Sequence, residues 1–184
     1  GSEDLHLNKM QYFWEQIYTP KEIGVINKKL LKCSKTQVFD GAQGVVKTSQ
    51  VFTIEWDDAK KHIEKFYKKG LHMNAVGFGY HLYPHQWHIK YNIYKPKKEY
   101  GWHTDGDNSV SCSDCKLTCL LNMSESSYEG GTLEISNGMI QRVVEFDTPG
   151  SMICFPSFLM HRVRPVLKGI RKSISLLING PKWV

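Results

Sequence analysis

A chain of 184 residues, 41% of them hydrophobic, is long enough to bury one well-packed core and short for two. No apolar run approaches the roughly 20 residues that span a bilayer, and no secretory apolar region is visible, so a soluble protein without a membrane partner is expected. Lysine and arginine, 24 together, exceed the 18 acidic residues for a net charge of +6; the 5 cysteines, an odd number in a chain that needs no disulfide staples, fit a reducing, cytoplasmic setting.

Gly1-Ser2 reads as a cloning scar and the stretch to Lys9 as a flexible lead-in, which leaves 10–184 as a single domain. Thr19-Pro20-Lys21-Glu22 is a capping box with proline at the first helical position. Ile23, Ile26, Leu30 and Leu31 follow at helical spacing, so a helix is predicted over about 20–32. Strand-like residues fill 45–55. Asp57-Asp58 then opens a second helix with Ala59, Ile63, Phe66 and Tyr67 as its buried stripe and Gly70 as its end.

Strands are predicted at about 74–82 and 87–95. In the second, Trp87, Ile89, Tyr91 and Ile93 share one face, and His88, Lys90, Asn92 and Tyr94 the other. More strands follow at 116–122, 131–135, 139–146 and 151–155. The segment Phe158 to Leu177 predicts a hairpin, with strands at 159–164 and 171–178 and a turn about Leu167 bounded by Pro165 and Gly169. In its last strand Ile170, Ile174, Leu176 and Ile178 oppose Arg171, Ser173 and Ser175. Strands with one apolar and one polar face pack helices outside and line a polar cavity within. Two helices followed by many short strands indicate an α+β, mainly β fold dominated by a jelly roll.

The chemistry concentrates in His103-Thr104-Asp105, with His161 and Arg171 further on. In an extended strand residues i and i+2 project to the same side, so His103 and Asp105 can point at one ion. Two imidazoles and one carboxylate leave open coordination positions, the facial set that suits non-haem Fe(II), whereas a structural zinc site needs a fourth protein ligand. A lone His-x-Asp is a common solvated tripeptide; the distant histidine and arginine set this one apart. The predicted hairpin places Arg171 opposite Arg164, on the order of 10 Å along the strand from His161. A small diacid held by the metal at one end could present its other carboxylate to that guanidinium.

Other chemistry-bearing residues read as structural. His6, His62, His72, His81, His85 and His88 are expected to be ordinary polar residues and not ligands. Cys112 and Cys115 have Cys-x-x-Cys spacing without a second pair, and Cys119 and Cys154 sit in apolar runs as core residues. Trp102 is either a core residue or a wall of a substrate groove. The lysine pairs at 28–29, 60–61 and 68–69 read as solvated faces; Lys95, Lys97 and Lys98, in the loop leading to His103, are expected near the cavity mouth, where they are either solvated in the same way or attract an acidic peptide or a phosphate backbone.

The stretch Tyr91 to Asp105, the run Tyr128-Glu-Gly-Gly-Thr-Leu-Glu-Ile135, and Gly150 to Arg171 with its Phe-Pro-Ser-Phe-Leu-Met-His161 core resemble the Fe(II)- and 2-oxoglutarate-dependent dioxygenases of the prolyl 4-hydroxylase type, a match over about 87–181. The resemblance implies a double-stranded β-helix (jelly roll) with the N-terminal helices packed on its larger sheet. It implies Fe(II) on His103, Asp105 and His161, and 2-oxoglutarate with its distal carboxylate on Arg171, assisted by Tyr94 and by Ser173 as a second contact. O2 is the oxidant, ascorbate an optional addition, and succinate and CO2 are released as a C–H bond is hydroxylated. By the same analogy the substrate is a peptidyl proline, so a peptide or protein partner is expected before a nucleic acid. Many relatives carry lysine where Arg171 stands, and Leu120 occupies a position often polar in them.

An alternative is an AlkB-type nucleic-acid demethylase, which Asn92-Ile-Tyr94, Gly101-Trp-His-Thr-Asp105 and the basic charge also resemble. Those enzymes carry an asparagine and a second arginine where this chain has Ser173 and Leu177. A third reading, a non-catalytic jelly-roll binding module, conflicts with the cost of keeping an unpaired arginine in a closed cavity. The sequence leaves the oligomeric state open.

Overall fold

The computed structural model describes residues 11–39, 44–106 and 112–184; the expected lead-in to Lys9 lies outside them. In chain order the strands are β1 (Phe13–Gln16), β2 (Lys35–Val38), β3 (Gln50–Glu55), β4 (His88–Tyr94), β5 (Tyr100–His103), β6 (Asp114–Asn122), β7 (Glu129–Gly130), β8 (Leu133–Ser136), β9 (Ile140–Val143), β10 (Ser151–Pro156), β11 (Met160–Val163), β12 (Val166–Lys168) and β13 (Arg171–Gly180). The helices are α1 (Pro20–Leu31), the single turn α2 (Trp56–Ala59) and α3 (Glu64–Met73). A seven-stranded antiparallel sheet in the order β1-β10-β6-β13-β4-β3-β2 faces a four-stranded sheet in the order β5-β11-β8-β9.

Alternation along the strands separates two cores. On β6, Leu117, Cys119 and Leu121 point outward to join Ile23, Ile26 and Leu30 of α1 and Phe66 of α3, while Leu120 points inward. Between the sheets Leu120, Leu133, Ile135, Val143, Phe146, Ile153, Phe155 and Val163 form the second core. The result is helices on the larger sheet and the larger sheet on the smaller, the expected jelly roll.

Helix α1 begins as its capping box dictates: the Thr19 hydroxyl accepts from the Glu22 amide at 3.2 Å, and Glu22 Oε2 accepts from the Thr19 amide at 2.7 Å. Its Leu31 is exposed, so the buried face is narrower than the sequence suggests. Gly70 does not end the second helical region. It lies inside α3, where a Cβ would come within 2.9 Å of Cys119 Sγ, so its lack of a side chain lets the helix settle on the sheet. The chain continues through a π-helical turn, Asn74–Phe78, and stops at Gly79, whose φ of 67° supplies the left-handed cap.

The strand expected over 74–82 is therefore absent: its first half is helical and the rest irregular. The strand-like run 45–55 is regular only as β3, with an isolated bridge from Lys47 to Tyr100. The strand expected over 139–146 is β9 followed by a 3-10 turn, Val144–Asp147.

The hairpin expected from Phe158 to Leu177 does not form. Strand β11 pairs with β5 and β8 in the small sheet, β13 pairs with β4 and β6 in the large one, and β12 between them pairs with β7. The chain changes sheets at this point, because alternation fixes which face is buried but not which strand is the neighbour. Arg171 consequently stands opposite Tyr94, not Arg164.

Candidate metal centre

His103 ends β5, His161 lies in β11, and the two strands pair with these histidines directly opposite each other. Asp105 follows two residues after His103, and the three side chains bring a ligand atom each to within 4.8 Å of one another. His161 Nε2 is 3.1 Å from Asp105 Oδ2, and His103 Nε2 is 3.5 Å from Oδ1. The backbone fixes the tautomers: Gly101 O lies 2.7 Å from His103 Nδ1 and Leu159 O 2.8 Å from His161 Nδ1. A carbonyl can only accept, so Nδ1 carries a hydrogen in both rings and Nε2 of each is the nitrogen turned toward Asp105, free to offer its lone pair to a metal.

The rings are held by packing. Tyr100 stacks on His103 with centroids 3.5 Å apart, and Phe155 meets His161 edge-on at 4.8 Å. Burial alone would raise the Asp105 carboxyl, but the charges and hydrogen bonds of His161 and His103 outweigh it and hold the group far below the ordinary carboxylate range. For His161 burial works toward the neutral ring, and Asp105 overrides it to raise the value.

Behind Asp105 runs a hydrogen-bond relay that the sequence did not reveal. Thr118 Oγ1 donates to Asp105 Oδ2 at 2.7 Å. Because Thr118 has one hydroxyl hydrogen, Ser157, at 2.9 Å, must donate to it, and the Cys115 thiol donates to Ser157 at 3.1 Å. Cys115 is thus a buried partner in this relay and Cys112 an exposed loop residue, so the Cys-x-x-Cys spacing brings no paired site. Burial pushes the Cys115 thiol up to about 12, out of the range where it could act as a thiolate.

Arg171, Tyr94 and Ser173 line the same cavity as His103, Asp105 and His161. Arg171 is 1% exposed, its guanidinium carbon 5.1 Å from the Tyr94 ring and 5.5 Å from that of Phe146, and its buried Nε has no hydrogen-bond partner. The guanidinium hydrogen-bonds the Tyr128 hydroxyl and faces the Asp147 carboxyl, and its remaining Nε donor in a desolvated cavity suits an acceptor such as a carboxylate. Asn92 donates to Ser173 Oγ at 3.4 Å and to Ser175 Oγ at 3.0 Å, giving the large-sheet wall its polar lining, while Leu120, Leu133 and Val163 add apolar wall.

A groove of about 920 Å³ opens from Asp105 to the surface, lined among others by Tyr83, His85, Trp87, His88, Lys90, Thr104 and Leu177. Two sequence expectations fail here. The Lys95 to Lys98 loop is tied by backbone hydrogen bonds to Val166, which stands beside Arg171, and it lines neither the cavity nor the groove. Lys47 and Lys90 line the cavity instead. Trp102 is neither core nor groove wall: it lies under the Arg162 guanidinium, 4.7 Å away, on the outer side of the small sheet. Trp87, 73% exposed, is the tryptophan that lines the groove, together with Phe39, Tyr83 and Tyr100. None of the other described histidines joins the cluster.

A jelly roll that gathers two histidines, an aspartate and a buried arginine into one cavity is the architecture of a 2-oxoglutarate-dependent dioxygenase of the prolyl 4-hydroxylase type. Residues 89–179 match the family model of the 2OG-Fe(II) oxygenase superfamily, and the chain belongs to that superfamily. It is 34% identical over 129 residues to a PKHD-type hydroxylase of Crocosphaera subtropica, an alignment covering 67% of this chain and 54% of the relative, so the chain spans about half of that protein's length. Among solved structures, the viral collagen prolyl hydroxylase of Paramecium bursaria Chlorella virus-1 superposes with a TM-score of 0.72 at 17% identity, covering 95% of this chain and 98% of that one. A prolyl hydroxylase from Trichoplax adhaerens, in complex with a hypoxia inducible factor peptide fragment, gives 0.70 at 15% identity over 95% and 86%.

Proposed function

We propose that this chain hydroxylates a C–H bond, that of a peptidyl proline, with 2-oxoglutarate as co-substrate and release of succinate and CO2. Residues 10–184 act as one dioxygenase domain. The observation that carries the reading is the cavity itself, with three converging ligand atoms and an unpartnered buried guanidinium nitrogen on its wall. The donor set fits the group the family implies: two neutral imidazole nitrogens and a carboxylate suit Fe(II) and leave positions for co-substrate and O2. Fe(II) with 2-oxoglutarate and O2 supplies the oxidising power.

The chain's own residues do the rest. His103 and His161 present Nε2 because their backbone carbonyls hold Nδ1–H, and Thr118 turns Asp105 to face them. Arg171 pairs with the distal carboxylate of 2-oxoglutarate, with Tyr94 and Ser173 beside it. Leu120, Leu133 and Val163 exclude water from the cavity wall. The groove takes an extended peptide, with exposed Trp87 and Tyr83 offering the apolar rings on which a proline can pack. The Trichoplax relative's peptide complex supports a peptide partner. Leu177, which lines both cavity and groove, puts an apolar residue where an AlkB-type enzyme has its second arginine.

Among the described residues no helix is long and apolar enough to cross a membrane, and all five cysteines are unpaired, which supports a reducing, cytoplasmic setting. Ascorbate is proposed as a supporting reductant. The test is succinate release by purified protein with Fe(II) and 2-oxoglutarate, with and without ascorbate, over proline-containing peptides and methylated single-stranded DNA. Mass spectrometry should show one added oxygen on proline; DNA demethylation without peptide oxidation would overturn the reading. His103→Ala and His161→Ala should each lose most affinity for Mn(II) used as a surrogate, and unchanged affinity in both would remove the assigned ligands.

A further inference from the structure

The small sheet turns His103 and His161 toward the cavity, so their strand neighbours Trp102 and Arg162 face the other way. Across this outer face the strands align a row: Arg162 stands opposite Glu134, and Glu134 opposite Arg142. Arg164, two residues after Arg162, joins it. Arg162 Nε donates to Glu134 Oε2 at 2.7 Å, while Arg142 Nε and Arg164 Nη1 each lie 3.6 Å from Oε1. The guanidiniums cover the carboxylate so fully that its side chain is 4% exposed, whereas those of Arg142 and Arg164 remain 64% and 46% exposed.

Three guanidiniums on one carboxylate leave two positive charges in excess, although Arg142 also interacts with Asp147, and the Arg142 and Arg164 side chains stay largely open to solvent. The adjacent row runs Met160, Ser136, Ile140, and both of its apolar side chains are exposed. Methionine, arginine and an aromatic on one outer sheet face form the composition of a protein interface more than that of a solvated sheet face.

We propose that this outer face docks an acidic segment of a partner protein. Carboxylates of the segment pair with Arg142, Arg162 and Arg164, and its apolar side chains cover Met160 and Ile140. A nucleic acid fits less well, since the Trp102 ring is already covered by Arg162 and the apolar row would lie unused beneath phosphates. Docking here does not compete with the groove, because that groove is lined by residues of β4, β6, β13 and nearby loops, with Tyr100 from β5, and by none of Glu134, Ile140, Arg142, Met160, Arg162 and Arg164.

The test uses the whole chain and a fluorescein-labelled peptide of Glu, Asp and Leu, read by anisotropy. Saturable binding that weakens as salt rises is expected. Arg142→Ala/Arg164→Ala should bind about tenfold more weakly. Ile140→Ala/Met160→Ala should bind about threefold more weakly. Arg142→Glu/Arg164→Glu should instead prefer a Lys and Leu peptide, a gain that misfolding cannot produce. The proposal is overturned if wild type shows no saturable binding, if the substitutions leave affinity unchanged, or if oligo(dT) binds more tightly than the acidic peptide. It is equally overturned if sedimentation shows that the face is occupied by a second copy of the chain.

Discussion

Thr118 makes a single hydrogen bond to Asp105, yet it decides how the carboxylate is presented. Its replacement by valine keeps the shape, removes the donor to Oδ2 and leaves the Ser157 hydroxyl without its acceptor. Loss of such an outer partner weakens metal binding by about 10–100-fold. Thr118→Val should show that loss in a Mn(II) titration, and Thr118→Ser should restore affinity; equal affinity in all three proteins would mean the relay does not position the ligand. Arg171→Ala should raise the 2-oxoglutarate requirement by the equivalent of about 2–5 kcal/mol, the cost of truncating one partner of a buried charge pair, while Mn(II) binding persists. Arg171→Lys should fall between, because an ammonium cannot reproduce the planar fork. A wild-type KM in Arg171→Ala would remove this residue from the co-substrate site. Although the hairpin expected to place Arg171 does not form, the gathering of His103, Asp105, His161 and Arg171 at one cavity was legible in the sequence, the first two from their i, i+2 spacing and the other two from the motifs of the resemblance. Thr118 was not: it is one polar residue in the apolar run of β6, and only the fold shows that the inward side of that strand meets Asp105.

At the scale of elements, the legible parts were those with local causes. Helix α1 follows from Thr19, Pro20 and Glu22, and Thr19→Ala should cost about 1 kcal/mol in thermal or urea unfolding. Glu22 adds a pH signature: the Thr19 amide and hydroxyl hold its carboxyl below the ordinary value. A depressed folded-state value means that the contribution is present above the unfolded value and lost as pH falls through the folded one. The stability gap between wild type and Glu22→Gln should therefore close in acid, and a pH-independent gap would show that the box is not formed. What stayed hidden depended on distant partners. Gly70 reads as a helix end, yet it is a contact point with Cys119. Alanine there gains about 1 kcal/mol of helix propensity but overpacks the sheet at a cost of about 1–3 kcal/mol, so Gly70→Ala should be net destabilising. Adding Cys119→Ala should recover the loss; a more stable single variant would refute the contact argument. The expected hairpin failed for a like reason: Arg171 and His161 belong to strands whose partners lie far away in sequence.

For the molecule as a whole, that failed hairpin is the more informative result, because it divides the site between two sheets. His103 and His161 stand on the small sheet, Arg171, Tyr94 and Ser173 on the large one, and the cavity lies between. A ligand held at both ends then ties the sheets together, and its binding energy adds to the stability of the native state. At a hundredfold excess over its dissociation constant, a ligand that binds only the native state contributes about 2.7 kcal/mol, on the order of 5–10 °C in Tm for a chain of this size. Mn(II) alone should give such a shift in wild type and in Arg171→Ala, but not in His161→Ala. Adding 2-oxoglutarate to the metal-loaded protein should give a second increment in wild type only. Amide exchange should slow on β11 with metal, and on β13 as well once the diacid is added. A second increment that survives in Arg171→Ala, or protection confined to the small sheet, would show that the co-substrate is held by the metal-bearing strands alone and that the two sheets are not bridged.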